Sequence, residues 1–285
     1  MVKSLKKVLI KHPREAYQTQ EKIDNDSPIL NYLTAPNFNQ ACSDFDNFVS
    51  ILESFHCEIH YLPFDNTSSI DSIYTHDPCL ISNKGVVLSE MGKNERSTEP
   101  HAIRKFFESI NIPILGKIKY PGTLEGGDIV WIDEKVIAVG EGYRSNEEGI
   151  KQLKSILGNL VDEVISVPLP HWKGPDDCLH LMSNLSPIDE KLFLVYSKLL
   201  PVKFRNYLLS QDIKLIDVPD QEYQSMGCNV LAIAPKKVLM IEGNPVTKAL
   251  LERQNVEVHV FNGSEISLKG SGGPTCLTRP FLRSK

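Results

Sequence analysis

Four stretches that read as β-hairpins begin near residues 79, 129, 179 and 229, about 50 residues apart, and a regular period of that size limits the fold more than any composition figure. Cys79-Leu80-Ile81-Ser82 turns at Asn83-Lys84-Gly85 into Val86-Val87-Leu88, and Ile129 to Ile132 turns at Asp133-Glu134 into Val136 to Val139. Leu179 to Leu185 passes through Ser186-Pro187-Ile188-Asp189-Glu190 into Leu192 to Val195, and Asn229 to Ala234 turns at Pro235-Lys236 into Val238 to Ile241. Each hairpin is followed by a segment with helical spacing, such as Ile150, Leu153 and Leu157 on one face of 147–157, and then by a short strand such as Glu163 to Val167. The repeating unit is ββαβ. Near the N-terminus, a helical pattern through Phe38, Cys42, Phe45, Val49, Leu52 and Phe55 precedes the strand Glu58 to Leu62, with Lys7 to Ile10 as an edge strand. That makes a fifth unit, closed by a strand after Cys276.

Five units of this size cannot each bury a face alone. The pattern therefore predicts an α/β assembly of five ββαβ blades around a pseudo-fivefold axis, helices outside, as a single domain over residues 1–285. The alternative is an ordinary α/β sandwich with coincidental spacing.

With 285 residues and 41% hydrophobic content the chain is long enough for a large core. The net charge of −5 is scattered, and no basic tract exceeds Lys3-Ser4-Leu5-Lys6-Lys7, which argues against nucleic acid as a partner. No run approaches the roughly 18 apolar residues of a membrane helix, and Val8-Leu9-Ile10 is too short for a signal peptide, so a cytoplasmic protein is expected. The six cysteines include no Cys-x-x-Cys pair, which fits a reducing compartment. His56, Cys57 and His60 lack further ligands nearby, so no metal is expected.

Polar residues recur at the repeat starts. Asp77 stands before the first hairpin, Glu125 and Asp128 before the second, His180 at the third, and Cys276 before the closing strand. In a radial repeat such positions share a height around the axis, so the five should converge in one central pocket. Cys276 follows Gly270-Ser271-Gly272-Gly273, and glycines can leave bare backbone for a substrate to approach a thiol. A thiol, an imidazole and carboxylates suit attack on the cationic carbon of a guanidinium. Carboxylates such as Asp77 and Glu125 can take its N–H groups, Cys276 can attack the carbon, and His180 can protonate the departing amine and then activate water. Singly, Asp77 reads more readily as a turn residue and His180 as a core histidine; their coincidence with repeat starts reverses that balance. Arg96 and Arg144, on loops leaving hairpins, could clamp a substrate α-carboxylate or be solvated loop charges. The candidate catalytic residues are Cys276, His180 and Glu125, and the candidate substrate-binding residues are Asp77, Asp128, Arg96 and Arg144.

Thr75-His76-Asp77-Pro78, Leu124-Glu125-Gly126-Gly127-Asp128, Arg144-Ser145-Asn146, Cys178-Leu179-His180-Leu181 and Gly272-Gly273-Pro274-Thr275-Cys276-Leu277-Thr278 occur in that order. In this combination the chain resembles the guanidino-group-modifying enzymes of the pentein fold, which include dimethylargininase, arginine deiminase and the amidinotransferases. The resemblance spans nearly the whole chain. It implies a five-bladed α/β propeller, a Cys/His/Glu catalytic set, no metal or organic cofactor, a small guanidino substrate such as arginine or methylated arginine, and it allows a homodimer. It matches Asp77 to the carboxylate that holds the guanidinium, and Arg96 and Arg144 to carboxylate-binding arginines. Arginine deiminases carry an extra helical domain and an Asp two residues after the histidine, where this chain has Met182; its compact size is closer to dimethylargininase. The expected activity is hydrolysis to citrulline and an amine, with amidino transfer and a non-catalytic binding protein as alternatives.

Overall fold

A computed structural model describes residues 1–284 of the chain. Fifteen strands form five sheets of three. Blade one contains β1 (Leu5–Ile10), β2 (Glu58–Tyr61) and β15 (Arg279–Arg283), and blade two contains β3 (Cys79–Ser82), β4 (Gly85–Leu88) and β5 (Ile114–Lys117). Blade three is β6 (Ile129–Trp131), β7 (Val136–Glu141) and β8 (Glu163–Pro168). Blade four is β9 (Leu185–Asp189), β10 (Leu192–Val195) and β11 (Lys214–Asp217), and blade five is β12 (Leu231–Ala234), β13 (Lys237–Ile241) and β14 (Glu257–Phe261).

The local rule is the same in every blade. A central strand pairs antiparallel with one neighbour and parallel with the other. Parallel pairing needs a crossover, and a helix supplies it in each: α1 (Phe38–Ser54), α2 (Glu99–Ser109), α3 (Glu147–Leu157), α4 (Val202–Ser210) and α5 (Pro245–Glu252). In α1, the Asn37 side chain accepts the Gln40 N–H, and Ala41, Cys42, Phe45, Phe48, Val49 and Leu52 form the buried stripe. In α3, Asn146 caps Gly149 N–H, acidic Glu147 and Glu148 occupy the first turn, and Gly158 at φ 48° ends the helix.

Hydrophobic clusters lie between blades rather than within them. Leu9 of blade one packs with Cys79, Val86 and Leu88 of blade two, and Leu80 and Val87 of blade two pack with Ile129 and Ile137 of blade three. Val130 and Ala138 meet Phe193 and Val195 of blade four, Ile188 and Leu194 meet Val230 and Val238, and Leu231 and Leu239 of blade five return to Val8 and Ile10. The chain of shared cores closes on itself. Each blade therefore buries its faces only in the company of two others.

Two expectations are corrected. β1 is the middle strand of its sheet, with β15 antiparallel on one side and β2 parallel on the other, rather than an edge. In the third hairpin, Leu181–Asn184 is one helical turn, and the strand is Leu185–Asp189, the segment expected to be its turn. Pro187 is tolerated there because β9 is an edge strand and its register with β10 shifts beside that residue. No helix among the described residues is long and apolar enough to cross a membrane.

Candidate active site

His180 ends the segment entering blade four, immediately before the Leu181–Asn184 turn, and two anchors hold it there. Its own N–H donates to Ser183 Oγ at 3.1 Å, while Leu181 N–H donates to Asp128 Oδ1 at 3.0 Å. The ring, 3% exposed, places Nε2 at 2.8 Å from Glu125 Oε2. Glu125 is fully buried: Oε1 accepts the backbone N–H groups of Gly92 and Lys93, and Oε2 also accepts Arg144 Nη1 at 3.0 Å. Burial alone would raise the Glu125 pKa, but Arg144 and His180 hold it well below the usual carboxylate range. Nε2 is thereby committed to a carboxylate, and Nδ1 is left as the chemically available nitrogen.

Around Nδ1 lie Asp77 Oδ1 at 4.0 Å and Cys178 Sγ at 3.5 Å. Burial would push the imidazole down, yet the Cys178 sulfur and the Asp128 and Asp77 carboxylates overcome it, so His180 titrates well above its ordinary value. Gly127 runs so close to this ring that a side chain there would strike Nδ1.

A cavity of about 140 Å³ opens onto the site. His180, Cys276, Cys178, Asn229, Gly127 and His76 are among the residues lining it. Cys276 is half-buried and receives Asn229 Nδ2 at 3.4 Å from its sulfur, while Thr275 N–H donates to Asn229 Oδ1 at 3.1 Å. Burial, reinforced by the Asp77 charge, pushes the Cys276 thiol up to about 12. The shift favours the protonated thiol, and added positive charge beside it would favour the thiolate.

The structure brings Cys276 and His180 to the cavity, with Asp77 beside the Nδ1 side of the ring and Glu125 behind it on the Nε2 side. The remaining candidates do other work in this arrangement. Asp128, fully buried, accepts Ser145 Oγ at 2.6 Å as well as Leu181 N–H; burial raises its pKa to about 6, and it tethers the histidine turn rather than facing substrate. Arg96 donates to Asp77, to both oxygens of Glu99 and to the Tyr74 carbonyl, and Arg144 pairs with Glu125. Neither guanidinium is among the residues lining the cavity, and in this arrangement each is paired with a buried carboxylate of the protein. Glu125, sealed behind the imidazole, is placed to orient it and not to receive a guanidinium.

The glycine loop also differs from expectation. Gly270 and Gly272 press against the rings of Tyr32 and Tyr74, and Gly273 against the Asn229 side chain, so these glycines serve close packing that seats Cys276. Asn229 was not singled out from the sequence, although it opens the fourth hairpin and repeat register would have pointed to it. Donor atoms of Asp77, Glu125 and His180 lie within 4.8 Å of one another, the spacing of a metal cluster, but those oxygens already accept from Arg96, Gly127 and Arg144.

The arginine deiminase family model matches residues 69–210 and 199–283. The chain belongs to the arginine deiminase family. Among curated relatives in sequence, it is 28% identical over 237 residues to the uncharacterized protein YkgA of Bacillus subtilis, covering 83% of this chain and 78% of that one. It is 25% identical over 252 residues to the N(G),N(G)-dimethylarginine dimethylaminohydrolase of Pseudomonas aeruginosa, covering 88% and 92%. Against the arginine deiminase of Listeria welshimeri the identity is 24%, and the chain spans 61% of that protein's length. The P. aeruginosa dimethylarginine dimethylaminohydrolase, solved as a mutant complexed with citrulline, superposes with a TM-score of 0.78 at 23% identity over 98% of this chain and all of that one. This family member thus has the five-bladed pentein fold.

Proposed function

We propose that the protein hydrolyses the guanidino group of arginine or an N-methylated arginine to citrulline and an amine, through a thiouronium on Cys276. The observation that carries this reading is one cavity lined by a thiol and by the Nδ1 face of an imidazole whose other nitrogen is held by a buried carboxylate.

A guanidinium entering the cavity brings positive charge to a thiol pushed up to about 12, and the ionised form is favoured as the cation docks. Asp77 Oδ1, which accepts the Gly127 N–H and is not paired with Arg96, is the nearest carboxylate oxygen to Nδ1 and is assigned, through its remaining lone pair, to the guanidinium N–H groups. Cys276 Sγ attacks the central carbon, forming a C–S bond. His180, held as imidazolium, gives its Nδ1 proton to the departing nitrogen as the C–N bond breaks, and an amine leaves. The neutral Nδ1 then takes a proton from water, whose oxygen attacks the thiouronium carbon. The C–S bond then breaks as the new hydroxyl becomes the carbonyl, its proton goes to sulfur in place of the one lost to solvent when the cation docked, and the ureido product is released. Glu125 keeps the ring oriented through both steps, as a buried carboxylate does in other histidine-centred sites.

The test is citrulline formation from asymmetric dimethylarginine, monomethylarginine and arginine, with agmatine scored as carbamoylputrescine. Product from one of these, lost in Cys276→Ser, is the expected result. No product from any, with a new guanidino compound formed when a second amine is added, would replace hydrolysis by amidino transfer.

A further inference from the structure

Two cysteines line the cavity, and the reaction uses one of them. Cys178 lies two residues before His180, and its sulfur sits 3.5 Å from Nδ1, the nitrogen that must serve the leaving group and the water. Cys42, Cys57, Cys79 and Cys228 are buried elsewhere and are not among the cavity residues. A thiol against an imidazole inside a substrate pocket is the arrangement that makes a cysteine nucleophilic.

We propose that Cys178 is a second, peroxide-sensitive thiol of the substrate pocket, and that its oxidation withdraws the Nδ1 face of His180 from substrate. The first half stands on the structure alone, and the second half rests on the proposed hydrolase reading. Charge points the same way. Burial would raise the Cys178 thiol, but His180 and Arg144 bring it below its ordinary value, whereas burial pushes the other five thiols up. Of the two pocket thiols, Cys178 is therefore the one biased toward ionisation in the free protein, and Cys276 needs a cation beside it. The thiolate attacks one oxygen of hydrogen peroxide, the O–O bond breaks, hydroxide leaves, and the sulfur is oxidised by two electrons to sulfenic acid. The new oxygen extends from a sulfur already in contact with Nδ1 and accepts its hydrogen bond, occupying the place of the leaving nitrogen. A thiol reductant reverses the step.

The experiment begins with substoichiometric iodoacetamide on the wild-type protein at pH 7 without substrate, with sites read by peptide mass spectrometry. Cys178 should be alkylated about ten-fold faster than Cys276, as expected for a thiolate beside a protonated thiol, and His180→Asn should erase the preference. Hydrogen peroxide with dimedone should then place the sulfenic adduct on Cys178, in wild type and in Cys276→Ser alike. Turnover lost to peroxide should return with dithiothreitol, and Cys178→Ser should lose its own activity about ten-fold more slowly at the same dose. Equal alkylation of Cys178 and Cys276, or a dimedone adduct on Cys276 alone, would overturn the proposal. Labelling needs no substrate, so the reactive thiol is decided even if no guanidino compound is turned over. Inactivation that is as fast in Cys178→Ser as in wild type would overturn the blocking role and leave the hydrolase reading intact.

Discussion

Arg96 is 3% exposed and makes each of its hydrogen bonds to the protein itself, to Asp77, Glu99 and the Tyr74 carbonyl. A charge in that position holds two buried carboxylates in place, and removing it leaves both without the guanidinium they are bonded to. Arg96→Ala should therefore cost about 3–5 kcal/mol of stability by chemical denaturation; a substrate clamp would raise KM and leave stability alone. Glu125→Gln tests the orientation of His180: kcat should fall at least about 100-fold with KM little changed. The same variant carries a pH signature. The Glu125 carboxyl is held below its ordinary 4.5, so its contribution to stability is present above that pH and lost below it. His180 is raised above its ordinary 6.5, so its contribution is full below that pH and is lost only as pH climbs through the raised value. The Tm gap between wild type and Glu125→Gln should be full at pH 6 and narrow as the pH falls below 4.5. At this scale the sequence showed which residue types converge, because repeat register puts them at one height. It did not show that Arg96, Arg144 and Asp128 are paired inside the protein, since pairing depends on side-chain direction, which no spacing encodes.

Among the elements, the crossover helices were the most legible. The expected helix 147–157 coincides with α3, because a 3.6-residue stripe with an Asn cap leaves little alternative. The third hairpin was misread because Ser186-Pro187-Ile188-Asp189 has turn composition, while an edge strand accommodates its proline. The central strands carry the packing. Leu194 of β10 is fully buried between blades four and five, and Leu194→Ala should destabilise by about 2–5 kcal/mol in urea. Leu209 of α4 is 44% exposed, and its alanine variant should stay within about 0.5 kcal/mol.

Across the whole molecule, stability is shared around a ring in which every hydrophobic cluster spans two neighbouring blades. A chain ended after Thr278 lacks β15 and uncovers one edge of β1, so blade one loses a strand and the ring loses its join. Such a chain should show a broadened, low-temperature melt by circular dichroism and aggregate on size exclusion. A compact remainder melting like wild type would contradict the shared-core account. The fivefold plan was legible because the period recurs, whereas the central place of β1 was not, since its β15 partner lies about 275 residues away and no local pattern reports that pairing.

That long-range join also orders events in time. During synthesis Glu125 and His180 emerge well before Cys276, and the segment bearing that cysteine comes out just ahead of the strand that latches the ring. The proposed site can therefore be complete only once Cys276 has been made and β15 has docked on β1.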